Sequence, residues 1–180
     1  MTLRHFFSLP GHRETWRIAW PVILSNSSVP LLGAVDTAVV GHLPDPHYIG
    51  SVAIGAMIFS FLYWGFGFLR MGTTGFIAQA MGEDDGDEVR AILARAMITA
   101  LVLGALALLL HRIVIGFALD LVEASAEVEI GAGEYFSVRI WGAPAVLANY
   151  ALMGFFIGVR NTRAALIVQI FMNALNIALD

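Results

Sequence analysis

Apolar residues in this chain do not alternate as they would in a strand. They gather into runs of roughly 20 or more, separated by short polar clusters, which is the pattern of membrane-crossing helices. The first run extends from about Thr15 to Val40, and the second from about Tyr48 to Met81. The third covers about Ala91 to Leu110, with an extension to Leu119 allowed. The fourth covers about Tyr135 to Val159, and the fifth starts near Ala164 and continues to Asp180. The breaks are the kind that stop helices: Gly41 to Pro46, Gly82 to Glu88, and Arg160 to Arg163. The pattern predicts an all-α fold, a polytopic transmembrane helix bundle with five spans. The fifth run ends inside an apolar helix without a cap or basic flank. It therefore reads as truncated, part of a longer protein.

Composition points the same way. Of 180 residues, 58% are hydrophobic and 13% charged, against roughly half and a quarter in soluble domains. A chain this short cannot hide that much apolar surface in its own core, so lipid must be part of its solvent. A net charge of −4 argues against a nucleic-acid partner. With no cysteine there is no disulfide framework, thiolate nucleophile or cysteine metal site. Arg4, Arg13 and Arg17 precede no short apolar core with a small-residue cleavage site, which argues against a removable leader. Met1 to Pro10, with Leu3, Phe6, Phe7 and Leu9, reads either as an interfacial segment or as a cytoplasmic tail.

All ten basic residues are arginine. With the N-terminus cytoplasmic, Arg4, Arg13, Arg17, Arg90, Arg95, Arg160 and Arg163 fall at inner ends, and Arg112 and Arg139 at outer ends. Seven against two sets that orientation by the positive-inside rule. Arg70 lies within the second span, where snorkelling explains it. The acidic run Glu83 to Glu88 lacks calcium-loop spacing and reads as a solvated loop.

Ionisable and amide side chains inside spans are the candidates for function, because burying them is costly unless they are paired or hydrated. Asp36 is one, about 28 Å along the first helix from Arg17. It is either a functional acid or an interfacial carboxylate near the outer loop. The same span carries a polar patch of Ser25, Asn26, Ser27 and Ser28, bracketed by Pro21 and Pro30. Each proline removes a backbone hydrogen bond, so this helix reads as a bending element or as a statically kinked one. In the fifth span Gln169, Asn173, Asn176 and Asp180 are spaced four, three and four. They form one polar stripe, which must face protein or water rather than lipid. Asp180 lies about 26 Å from Arg163 along that helix, close to the depth of Asp36. Two carboxylates with Asn176 one turn away suit a shared cation or proton site, because repulsion and desolvation favour holding a proton between them. The plainer reading is a polar seam that glues helices.

Other features carry less. Asn149 either joins the same cavity or serves as helix glue. Gly154 and Gly158 read as a close-packing pair, and Gly65, Gly67, Gly72 and Gly75 likewise. Phe59, Phe61, Trp64, Phe66 and Phe68 read as lipid-facing or core, some of them lining a greasy cavity. His42, His47 and His111 lack metal-ligand spacing. No hydrolase triad, P-loop or zinc-protease motif occurs, so neither an enzyme nor a resident cofactor or metal is expected.

Three segments together resemble the multidrug and toxic compound extrusion (MATE) family. They are Val35 to His42, Arg70 to Gly82, and Asn173 to Asp180, and the combination is most similar to the DNA-damage-inducible F (DinF) branch. The resemblance implies a fold of twelve helices in two pseudo-symmetric lobes, of which this chain would supply five helices of the N-terminal lobe. It implies antiport, with substrate leaving as protons or sodium ions enter. It implies an N-lobe cavity with coupling residues at Asp36, Asn176 and Asp180, and a bending proline at Pro21; Asn149 matches a polar position only loosely. Helix six and the second lobe are missing from the pattern, so a C-terminal lobe is an expected partner, alongside membrane lipid and a small-molecule substrate.

The expectation is thus a proton- or sodium-coupled antiporter in a bacterial inner membrane, exporting cationic or amphipathic small molecules. Two rivals come from other classes. A lipid-intermediate flippase of a related superfamily would want a cation-rich cavity, which the sparse buried arginine disfavours. A non-transporting scaffold would tie up Asp36 and Asp180 with close partners.

Overall fold

The computed structural model describes residues 47–122 and 124–179, with the single positions 15, 16, 19, 20, 23, 38, 41 and 45. From residue 175 onward the description is of backbone alone. Apart from short turns and connections, the described residues are helical, with helices α1 (His47–Gly65), α2 (Phe68–Gly82), α3 (Gly86–Val122), α4 (Ala126–Arg139), α5 (Ala143–Gly158) and α6 (Thr162–Leu179). A 3₁₀ turn, Ile140–Gly142, joins α4 to α5. The chain divides into two compact units, Thr37–Val159 and a smaller one of Met1–Asp36 with Arg160–Asp180.

Among the described residues three stretches are long and apolar enough to cross a membrane: His47–Gly82, Gly86–Val122 and Ala126–Gly158. The first joins α1 and α2 through a tightened turn. Phe66 N–H donates to Tyr63 O at 3.1 Å and Gly67 N–H to Trp64 O at 3.0 Å, both three residues back. The third is interrupted by the Ile140–Gly142 turn, and Pro144 follows in the first turn of α5, where its missing N–H costs least. The α2–α3 corner is closed by Asp84 at φ 57°. Glu83 N–H reaches Gln79 O and Asp85 N–H reaches Ala80 O, ending α2 in a left-handed cap that a short Asp tolerates. Asp85 Oδ1 then accepts the Asp87 and Glu88 N–H groups at 3.1 and 2.9 Å, starting α3 inside the acidic run.

In the larger unit α5 packs on α2 and α3, and α4 on α1. The core forms layers along the bundle. One layer joins Ile58, Phe59, Ala107, Phe136 and Ile140; the next joins Leu69, Ala100, Leu147 and Ala151; the last joins Ile77, Ala80 and Val89. Small residues set the approach. A Cβ on Gly104 would fall 2.5 Å from Pro144 Cα. One on Gly154 would fall 2.7 Å from Arg70 O, and one on Gly158 2.6 Å from Ile77 Cβ. Around Gly65, Gly72 and Gly75 the space is open, and a Cβ on Gly67 would meet only Trp64 O of its own turn. The close-packing expectation therefore holds for the α5 glycines and not for these four. Large apolar side chains such as Trp64 and Leu109, both 80% exposed, stand on the outside. That inverts a soluble surface and suits lipid contact.

Candidate functional site

The polar stripe is the first element of the site. α6 is helical through Leu179, so Gln169, Asn173 and Asn176 share a face by register. Gln169 Nε2 donates to Asn173 Oδ1 at 3.0 Å, one turn apart. Asn173 is 8% exposed. A buried amide on a largely apolar helix is retained only where its hydrogen bonds are met, and Gln169 supplies one. Asp36, Asp180, Asn26, Pro21 and Pro30 lie outside the described residues, and Asn176 is described by its backbone alone. Gln169 and Asn173 are thus the pair that the described residues bring together. Asn149 is half-buried on α5, in the larger unit.

The larger unit holds polar contacts that the sequence pattern did not single out. Thr74 Oγ1 donates to Arg70 O at 2.8 Å and to Gly154 O at 3.2 Å, tying α2 to α5 where the glycine brings the backbones close. Ser51 Oγ does the same between α1 and α4, reaching His47 O at 3.0 Å and Val128 O at 3.2 Å. The signal for both was present, a hydroxyl facing a glycine on another span, but it becomes legible only once the pairing of spans is known. The sequence assigns Arg139 only a place at an outer helix end. Its guanidinium sits 5.4 Å from the centroids of the Phe59 and Tyr135 rings and donates to the Tyr135 hydroxyl. These contacts offset the cost of a cation beside the aromatic stack of Phe59 on Phe136, whose centroids are 4.5 Å apart.

Charged chemistry gathers at the α2–α3 corner. Arg90 pairs with Asp87 and Arg95 with Glu88, each at 2.9 Å. At the start of α1, Asp45 Oδ1 accepts the His47 ring Nδ1–H at 2.9 Å and the His47 backbone N–H at 3.3 Å. The side-chain bond, helped by the backbone one, holds the Asp45 carboxyl below the usual carboxylate range. Among the described residues there is no group of three or more His, Asp or Glu side chains that could hold a metal. The chemistry on view is that of a membrane bundle with internal amides, bound ion pairs and closely apposed backbones.

That combination defines a class, the polytopic helical membrane protein, and comparison gives the family. The MatE profile matches residues 21–180, and the chain belongs to the MatE family. Within it the chain falls on the DinF-like branch. It is 44% identical over 174 residues to the DNA damage-inducible protein F of Escherichia coli, covering 97% of this chain and 38% of that protein. It is 24% identical over 143 residues to the probable multidrug resistance protein NorM of Acinetobacter baylyi, covering 79% of this chain and 31% of that protein. The fold matches a solved MOP superfamily transporter from Pyrococcus furiosus with a TM-score of 0.84 and 23% identity, over 92% of this chain and 36% of that one. The chain therefore spans well under half the length of these relatives.

Proposed function

We propose that this chain carries the coupling site of a proton- or sodium-driven exporter of cationic or amphipathic small molecules. Support comes first from the face of α6, where Gln169 bonds a buried Asn173 on a helix that is otherwise mostly apolar. The spacing in the sequence carries that face on to Asn176 and Asp180. Membership of the MatE family adds to the reading, as do the multidrug names carried by relatives. In this mechanism Asp36 alternates between proton-loaded and free states. Loading removes a buried charge, and the first helix bends near Pro21 and Pro30. The bend narrows a hollow bounded by Asp36, Asn176 and Asp180, and substrate leaves outward. In this reading Gln169, Asn173 and Asn26 line the same hollow.

Alternating access needs a second lobe to rock against, and that lobe is the proposed partner. The protein sits in the inner membrane with its N-terminus cytoplasmic, as the arginine distribution suggests. The test is export by the intact transporter with Asp36→Asn, driven by an imposed proton gradient and, separately, by a sodium gradient. The variant is expected to lose gradient-driven export while still reaching the membrane. Undiminished export under the gradient that drives the unmodified protein would rule out Asp36 as the coupling acid.

A further inference from the structure

Between α2 and α3 runs an open groove of about 380 Å³, within the size range of pockets that hold one small ligand. Its walls are apolar for most of their length, with Phe68, Gly72 and Phe76 on α2 and Ile92 on α3. Phe68 and Phe76 are exposed, so the groove opens sideways onto what would be lipid. One end differs. Glu88, Ile92, Arg95 and Thr99 are spaced four, three and four, so they share the face of α3 that lines the groove. Arg95 does not point along the apolar wall. Its guanidinium reaches back toward the α2–α3 loop, where Nη1 donates to Glu88 Oε1 at 2.9 Å. The groove is thus apolar along its length and carries one cation and one anion side by side at the membrane edge.

From this geometry we propose that the groove is a binding site for a single phosphatidylethanolamine-type lipid. A lipid-facing groove does not stay empty, because unfilled space forfeits the contacts of every atom lining it. An acyl chain fills the Phe68–Phe76 side. The headgroup is chosen by charge complementarity. Among the described residues, Glu88 is the ion-pair partner of the Arg95 guanidinium, and an arginine has five N–H donors to offer. The spare donors suit a lipid phosphate. The second Glu88 oxygen suits the primary ammonium, which has three N–H donors. A phosphocholine lipid carries the same charges but its quaternary nitrogen has no N–H. A phosphatidylglycerol brings the phosphate without a cation, and so sets an unanswered negative charge beside Glu88. The site does not depend on the transport reading or on orientation.

The experiment is a native mass-spectrometric titration of the delipidated chain in detergent with phosphatidylethanolamine, phosphatidylcholine and phosphatidylglycerol of matched acyl chains. The ethanolamine lipid is expected to bind about tenfold tighter than the choline lipid, the worth of one charge-assisted hydrogen bond. Glu88→Gln, on an exposed first turn, should reduce that preference to within about twofold, since a neutral amide loses most of the attraction. Gly72→Leu should remove the high-affinity adduct, because a Cβ at Gly72 meets nothing within 4 Å and the new side chain can grow into the groove. Equal binding of the ethanolamine and choline lipids by the unmodified chain would overturn the proposal. So would a preference that survives Glu88→Gln, or phosphatidylglycerol binding as tightly as phosphatidylethanolamine.

Discussion

The contact between α3 and α5 invites one substitution above others, Gly104→Ala. A Cβ there would lie 2.5 Å from Pro144 Cα, 2.9 Å from its nitrogen and 3.0 Å from its Cβ. Carbon atoms rest at about 3.5–4.0 Å, so the alanine requires the two helices to part by about 1 Å. Pro144 cannot yield by changing rotamer, because the nearest atoms belong to its backbone and its φ is fixed by the ring. Parting the helices loosens the layer of Ala100, Leu147 and Ala151, all fully buried. With a backbone carbon as near as 2.5 Å, overpacking falls in the upper part of its range, about 2–3 kcal/mol, and alanine returns about 1 kcal/mol of helix propensity over glycine. The expected net loss is about 1–2 kcal/mol, or a melting point lower by about 2–8 °C for a chain of this size. Thermal unfolding of the purified protein in detergent, followed by circular dichroism, reads it directly. Gly116→Ala on the same helix is the control, since a Cβ there meets nothing within 4 Å; it should leave the melting point unchanged or raise it. If Gly104→Ala melts with or above the unmodified protein while Gly116→Ala behaves as stated, the close approach of α3 to Pro144 is wrong.

Three further outcomes follow from contacts elsewhere in the bundle. Asp85→Ala removes the acceptor for the Asp87 and Glu88 N–H groups and should cost about 1 kcal/mol, seen as faster hydrogen exchange in the first turn of α3. Ser51→Ala loses the bond to Val128 O and should destabilise the α1–α4 contact by about 1 kcal/mol, with any smaller effect in unfolding midpoint counting against that bond. Because the Asp45 carboxyl is held below its ordinary range, its contribution is present above the unfolded carboxylate value and is lost as pH falls through the folded one. Acidification below about pH 4 should therefore fray the start of α1; Asp45→Asn should flatten that dependence in amide exchange at Tyr48 and Ile49.

Much of the fold could be read from hydrophobic runs because lipid imposes a simple rule on spanning segments: apolar side chains outward and every backbone group paired within the helix. The stripe on α6 was legible for the same reason, since Gln169 and Asn173 break an apolar helix at helical spacing. Other features depend on which spans are neighbours, and a single sequence does not carry that. Gly154 and Gly158 meet α2, whereas Gly72 and Gly75 face open space, although all four sit in similar local patterns. The turn at Phe66–Gly67 was hidden because aromatic residues continue unbroken across it. The acidic run looked like a plain loop, yet Asp84, Asp85 and Glu88 each take a distinct part in turning the chain and starting α3.

The two interrupted spans form a matched pair. The α1–α2 turn and the Ile140–Gly142 turn both fall between the same flanking contacts, Phe59 on Phe136 to one side and Thr74 with Gly154 to the other. A helix is stiff because each residue is latched to the one four back, and at these places the latching is shortened. Side by side, the two spans therefore share a waist, with a well-bonded block on either side of it. The unbroken α3 runs past that waist and seats Gly104 on Pro144 beside it, so it splints the pair where their own helical bonding is interrupted.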